Sequence, residues 1–226
     1  ADTSTTGKGV DGGQIEDSAV IAYRLARLIN CPVVATGEED YVSDGTRVFA
    51  VPHGHPIMTA VTGTGCLLGA VLAAFFSAYF PSKNQMPMAE FIAYALAYYG
   101  LAGERAVKEC GFKPGSFSVA FMDSLYTLDD AVLKSENRIR PIVVPDQLQV
   151  YFISGTQDVE LNEHRLLSIV EDACRGGVTC FQFREKGAGT LVGQQKLELA
   201  QQLKQICAKY NVLYVINDDV DLAVAV

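Results

Sequence analysis

Strand-like runs recur about every 30 residues in the last third of this chain, and no other feature limits its fold so tightly. VYFIS follows Gln149, TCFQF follows Val178 and LYVIN follows Val212, with helical patterns from Leu161 to Cys174 and from Leu191 to Tyr210 between them. Repeated β-α units of this kind build parallel sheets whose chemistry sits at the strand carboxyl ends. Three strands cannot close an eight-stranded barrel, so a barrel here would have most of its wall beyond Val226.

The first part of the chain reads differently, and the change of character falls near residue 135. Apolar residues recur at helical spacing from Ile15 to Ile29 (Ala19, Ile21, Ala22, Leu25, Ala26, Ile29). Short strands are expected at Pro32–Thr36 and Arg47–Val51. Leu67 to Phe80 reads as a nearly all-apolar, buried helix. Pro87 suits the first turn of another, which Gly111 stops after Cys110. A last helix is expected from Pro114 to about Leu133. The run from Ser135 to Gln147, with Pro141 and Pro145 and little periodicity, reads as a linker. The expected organisation is a first domain over 1–134, a linker over 135–148 and a second domain over 149–226.

Composition narrows the function classes. The 226 residues are 49% hydrophobic and 19% charged, which fits a packed globular protein. A formal net charge of −8 repels nucleic acid and acidic membrane surfaces, so neither is an expected partner. Phosphorylated small molecules are not excluded, because local groups hold them. The six cysteines form no C-x-x-C pair, and His53, His55 and His164 add no zinc-ligand spacing. Scattered thiols point to a reducing cytoplasm. The greasy run from Cys66 to Phe80 falls short of the ~20 residues a membrane span needs. The chain opens on Ala1 and closes in the apolar run Val220–Val226, so both ends are expected to be cuts within a longer sequence.

Two constellations carry chemistry. The first is Val61-Thr62-Gly63-Thr64-Gly65-Cys66, which runs straight into the apolar helix. Glycines let backbone approach a ligand closely. The first amides of a helix lack internal partners and carry partial positive charge, so the turn is suited to a phosphoryl group in transfer. Cys66 falls in the first helical turn, where that field favours a thiolate able to help deprotonate an attacking hydroxyl. The alternative is a tight turn feeding a core helix, with Cys66 as a small buried residue.

The second constellation lies at two strand ends, Gln182-Phe183-Arg184-Glu185-Lys186-Gly187 and Asn217-Asp218-Asp219. Alternation puts Gln182, Arg184 and Lys186 on one side if the strand geometry persists. Arg184 can grip a phosphate with two parallel bonds and Lys186 can add a point charge. Asp218 offers a hard oxygen to Mg²⁺, which binds one or two carboxylates together with substrate phosphates. The alternatives are a solvated strand end and an ordinary capped turn.

Both parts resemble known families. Gly7-Lys8-Gly9-Val10-Asp11, the segment from Thr36 to Gly45, Gly54-His55-Pro56, the VTGTGC turn and Gly115-Ser116-Phe117 resemble the carboxyl half of hydroxyethylthiazole kinase over about residues 7 to 128. Tyr151-Phe152-Ile153, Gly176-Gly177-Val178-Thr179, QFREKG and INDDVDLA resemble the amino-terminal part of thiamine-phosphate synthase over residues 149 to 226. The implied fold is α/β, a partial ribokinase-like domain followed by a partial TIM (β/α)8 barrel. The resemblance implies that Cys66 is the catalytic base or its stand-in, that Gly63 lies against the thiazole, and that Thr36, Thr64 and Gly65 contact ATP. It implies that Gln182, Arg184, Lys186 and Asn217 bind the aminopyrimidine diphosphate and that Asp218 is a Mg²⁺ ligand. Hydroxyethylthiazole, ATP, pyrimidine diphosphate and thiazole phosphate are the implied substrates, and a homo-oligomer, a trimer by family analogy, the implied assembly. The rival expectation is a catalytically inactive fragment serving as a binding or assembly module.

Overall fold

The computed structural model describes residues 18–80 and 86–226. The chain divides into two compact units, the first ending at Ile142 and the second spanning Val143–Val226. The expected helix start at Ile15 and the Gly7–Asp11 segment lie outside the described residues. Among those described, no helix is long and apolar enough to cross a membrane.

The first unit begins with α1 (Ser18–Ile29), followed by β1 (Val33–Ala35), β2 (Asp40–Ser43) and β3 (Val48–Val51). A 3-10 turn (Pro56–Ala60) leads to α2 (Thr64–Tyr79), α3 (Met88–Cys110), α4 (Pro114–Thr127) and α5 (Asp130–Glu136), and β4 (Arg140–Ile142) ends the unit. The four strands form one antiparallel sheet in the order β1-β2-β3-β4. Alternation buries both of its faces. Val42, Phe49 and Val51 join the core that α3 builds, whereas Tyr41, Val48 and Ala50 lie on the other face, the side of α1. Helix α1 supplies Ala19, Ala22, Tyr23 and Ala26 as its buried stripe. Helix α3 is buried along most of its length because it is rich in Ala and Gly, which let its neighbours approach. Phe117 and Phe121 of α4 stack at 5.3 Å between centroids, and Tyr99 of α3 meets Phe121 edge-on at 5.0 Å.

Three expectations need correction here. Helix α2 is not buried: Leu68 alone is buried, while Gly65, Cys66, Gly69, Ala70, Ala73, Ala74, Ser77 and Ala78 are exposed. Hydropathy without a polar stripe could not show that only one face has a neighbour. The single helix expected over Pro114–Leu133 is two helices. Leu128 is extended, and the Asp129 carboxylate accepts from the Val132 amide at 2.9 Å, capping a new start. Strand β2 has no counterpart among the expected strands. The expected linker over 135–148 is in part sheet, because Arg140, Pro141 and Ile142 pair with Ala50, Phe49 and Val48. Proline is tolerated there because β4 is an edge strand.

The second unit alternates strand and helix. After a 3-10 turn (Pro145–Leu148) come β5 (Tyr151–Ser154), a 3-10 turn (Thr156–Val159), α6 (Glu163–Arg175), β6 (Cys180–Phe183), α7 (Gly193–Lys209), β7 (Leu213–Ile216) and α8 (Val220–Ala225). The strands form a parallel sheet in the order β5-β6-β7. Phe152, Phe181 and Tyr214 stand in register on one face and pack with Leu166 and Val170 of α6 and Leu199 and Leu203 of α7. Tyr151, Ile153, Gln182, Leu213 and Val215 take the opposite face. All three carboxyl ends therefore lie along one margin of the sheet, followed by Gly155–Asp158, Arg184–Lys186 and Asn217–Asp219.

Candidate active sites

The glycine turn of the first unit is built from behind. Gly63 caps α2 in the left-handed region (φ 97°, ψ −7°), which a side chain would strain. Its carbonyl accepts the Leu67 amide at 2.9 Å. The Thr64 hydroxyl lies 2.8 Å from the Met58 carbonyl and 3.2 Å from that of Val61, so it closes the turn. The buried Tyr99 hydroxyl donates to the Thr64 carbonyl at 2.5 Å, and burial raises that phenol well above its ordinary value, which keeps it a donor. The front of the turn is open. A Cβ added at Gly63 or Gly65 would meet nothing within 4 Å, and Cys66 is exposed. Among the described residues the amides of Gly63, Gly65 and Cys66 find no hydrogen-bond partner. The expected pocket-forming amides and the expected thiol are thus together, on one exposed helix start.

The approach to this turn is braced by a network that the sequence did not announce. Glu104 of α3 accepts from the Gly54 amide at 3.0 Å and from Arg138 at 2.6 Å, and lies 3.3 Å from His53 Nδ1. Arg138 also donates to the Pro52 carbonyl at 2.7 Å, and its amide donates to His53 Nε2 at 3.0 Å. Nε2 therefore carries no proton, and Nδ1–H donates to Glu104. Burial and then the Arg138 charge push the His53 ring below its ordinary value. Burial works against the Glu104 carboxylate, but Arg138, the Gly54 amide and His53 together hold it below the usual range. Farther on, His55 Nδ1 accepts from the Ile57 amide at 3.2 Å and caps the Pro56–Ala60 turn. Only residues far apart in sequence make the brace, so no local pattern betrayed it.

Thr36, expected at the nucleotide, lies in the loop after β1, and no hydrogen bond joins it to the glycine turn among the described residues. Beside it the Asp40 carboxylate accepts from the Gly37 amide at 2.9 Å, and burial pushes its pKa up from 3.8 to about 6. The sign follows. The folded chain keeps a proton that the unfolded chain has released, so stability held at low pH is lost as pH rises through about 6. Between about pH 4 and pH 7 the loss should reach ~2 kcal/mol, and Asp40→Asn should remove the slope. Urea unfolding of the first unit at several pH values checks this; parallel profiles for the two proteins would refute it.

In the second unit, an open depression of about 420 Å³ lies at the carboxyl margin of the sheet, lined by Glu185, Lys186, Lys196, Asn217, Asp218 and Asp219 among others. Lys186 and Asp218 form an ion pair across it. The Lys186 ammonium, beside the carboxyl, holds Asp218 below the usual carboxylate range. Asp218 takes a left-handed backbone (φ 56°), which Asp tolerates better than most residues. Asn217 Nδ2 is buried and makes no hydrogen bond of good geometry, while the Asn217 side chain lies close enough to Asp218 to help hold that carboxyl down. Gln182 stands on the sheet face away from the helices, and Arg184 follows β6 with its side chain exposed. Lys186, Asn217 and Asp218 thus line one depression, whereas Gln182 and Arg184 stand outside its lining.

One lining residue, Lys196, carries no signal in the sequence, and Asp219 takes the capping role expected of an ordinary turn. Lys196 of α7 pairs with Asp219 at 2.7 Å, and Asp219 also caps α8 by accepting from the Leu222 amide at 2.9 Å. Both carboxylates are therefore engaged by lysines, Asp218 by Lys186 and Asp219 by Lys196, and Asp219 is held by its cap as well. Among the described residues no group of three or more His, Cys, Asp and Glu side chains could hold a metal ion unaided.

Comparison with known proteins agrees with this division. The hydroxyethylthiazole kinase family model matches residues 1–131, and the thiamine monophosphate synthase model matches residues 150–226. A thiamine biosynthesis bifunctional protein from Symbiobacterium thermophilum is 35% identical over 224 residues, covering 96% of this chain and 43% of its own length. Thiamine-phosphate synthase 1 of Streptococcus pneumoniae is 52% identical over 79 residues, 35% of this chain and 37% of its own. The solved structure of hydroxyethylthiazole kinase protein from Pyrococcus horikoshii matches with a TM-score of 0.51 and 35% identity, over 57% of this chain and 47% of that one. The chain spans less than half the length of each of these three relatives.

Proposed function

This chain belongs to the hydroxyethylthiazole kinase family, and from that premise, with the synthase match that follows it, we propose that it carries parts of two consecutive enzymes of thiamine phosphate synthesis. The first transfers the γ-phosphoryl group of ATP to the hydroxyethyl arm of the thiazole. The uncommitted amides of Gly63, Gly65 and Cys66 meet the charge that develops in transfer, Cys66 takes part in removing the hydroxyl proton, and Thr36 contacts the nucleotide. Thr64 acts through its place in the turn, since its hydroxyl is engaged.

The second reaction joins thiazole phosphate to the pyrimidine methylene. The methylene–oxygen bond breaks, its electron pair leaves with diphosphate, and a bond forms to the thiazole nitrogen. Lys186 and Arg184 oppose the charge on the departing group, and Gln182 and Asn217 orient the pyrimidine diphosphate. The observation that carries this reading is the buried Asn217 Nδ2 with no hydrogen bond of good geometry, beside the Lys186–Asp218 pair. A bound Mg²⁺ would stabilise the leaving diphosphate, with Asp218 supplying one oxygen and the substrate phosphates others. Binding would then exchange partners: Lys186 passes to phosphate and Asp218 to the metal. The substrates are small molecules in both reactions. A cytoplasmic location belongs to the same proposal, supported by six free thiols. So does self-association as a trimer, supported by the exposed small residues of α2 and by Val119, Met122 and Tyr126 of α4.

Gly65→Ala separates function from fold at the first site. Alanine is the better helix former and meets no atom there, so stability should hold or rise by up to ~1 kcal/mol. Thiazole phosphorylation should nevertheless fall by at least ~10-fold, because a methyl group stands where the phosphoryl group approaches. Cys66→Ala should lower the same rate with stability retained. Undiminished phosphorylation in both variants would remove the glycine turn from the mechanism.

A further inference from the structure

Glu185 stands between two cations in sequence and pairs with neither: Lys186 pairs with Asp218. Its carboxylate goes to neutral donors instead. Oε2 accepts from the Thr156 amide at 3.0 Å, and Oε1 accepts from the Thr156 hydroxyl and from the Leu191 amide, the latter at 3.0 Å. Thr156 is 1% exposed, so this contact is anchored in packed structure. The neighbouring Gln157 adds a second strap, since its Nε2 donates to the Arg184 carbonyl at 2.8 Å and its Oε1 lies 3.4 Å from the Lys186 amide.

We infer that Glu185 is a positioning residue, a clamp that ties the segment after β6 to the start of the segment after β5 and thereby aims Arg184 and Lys186 at a diphosphate. The inference rests on the synthase reading of this margin. Without the clamp, residues 185–191, which include Gly187 and Gly189, would close on nothing at Leu191. The two cations would then sample many directions at a cost in ordering on each binding event. Because its oxygens are bound to Thr156 and Leu191, Glu185 forms no ion pair with either cation, although its charge remains nearby.

Charge alone gives the opposite expectation. Replacing Glu185 by Gln removes a negative charge beside an anion site, which should by itself strengthen diphosphate binding. The test is calorimetric titration of the 226-residue chain with inorganic diphosphate and Mg²⁺, together with amide exchange at Thr156 and Leu191. Glu185→Gln and Thr156→Val should bind about tenfold more weakly and exchange the Leu191 amide faster, as losses of supporting contacts do elsewhere. Thr156→Ser, which keeps the hydroxyl, should match the wild type in both. Faster exchange with wild-type affinity would overturn the positioning role. Unchanged exchange in Glu185→Gln and Thr156→Val would overturn the clamp. A wild-type chain that ignores diphosphate would overturn the reading of the site, and the positioning role with it.

Discussion

Gly155→Ala should destabilise the second unit by ~3 kcal/mol or more and abolish diphosphate binding with it. The backbone is not the obstacle: at φ −149° and ψ −176° Gly155 is extended, and any residue adopts that conformation. Space is the obstacle. A Cβ would lie 2.0 Å from the Arg184 carbonyl oxygen and within 2.7 Å of the Gln157 amide group. Gln157 could swing aside, though it would give up its bond to Arg184. The Arg184 carbonyl cannot follow, because the Arg184 amide is bound to the Ser154 carbonyl at 3.0 Å. Relief therefore requires β5 and β6 to part at the end where Arg184 and Lys186 begin. Urea unfolding of the second unit measures the effect, and a change within ~0.5 kcal/mol would show that this contact is looser than described.

Gly100→Ala should cost ~2–3 kcal/mol in the first unit, although it lies in the middle of α3 where alanine is intrinsically favoured by ~1 kcal/mol. Its Cβ would fall 2.5 Å from His53 Cβ, 2.6 Å from the His53 carbonyl carbon and 2.8 Å from the Gly54 amide nitrogen. Two of these are backbone atoms, and the Glu104–Arg138 brace fixes the segment they belong to. Gly103→Ala, one turn along, is the control. There the added atom would crowd Met58 Sδ at 2.6 Å, the far part of a flexible side chain that can change rotamer. The loss at 103 should be the smaller of the two by ~1 kcal/mol or more. If the order in chemical denaturation were reversed, His53 and Gly54 would not be held as described.

The regular second unit was legible because its signals are local and redundant. Three β-rich runs with spacing for helices between them leave little choice of topology, and Arg184, Lys186, Asn217 and Asp218 follow strands by simple counting. In the first unit the glycine turn was legible for the same reason: its glycines and Cys66 are contiguous. The rest depended on partners distant in the chain. Strand β4 is three residues long and carries a proline, so only its pairing with β3 reveals it. The exposure of α2 depends on which neighbours cover an all-apolar helix, and hydropathy does not count neighbours. The role of Glu185 is not legible in its motif, because the donors it serves, Thr156 and Leu191, bear no mark in the sequence.

Strand β4 also decides where the two halves can be severed. The kinase family match stops at residue 131, which invites a stop codon just after α5. Such a cut discards Arg138 along with residues 140–142, leaving His53 and Glu104 without their shared partner and β3 as a naked border. Borders of that kind recruit foreign polypeptide and precipitate. A protease site or stop placed after Ile142 preserves the border, so any attempt to obtain the halves separately succeeds or fails on about six residues that look, in the sequence, like spare rope.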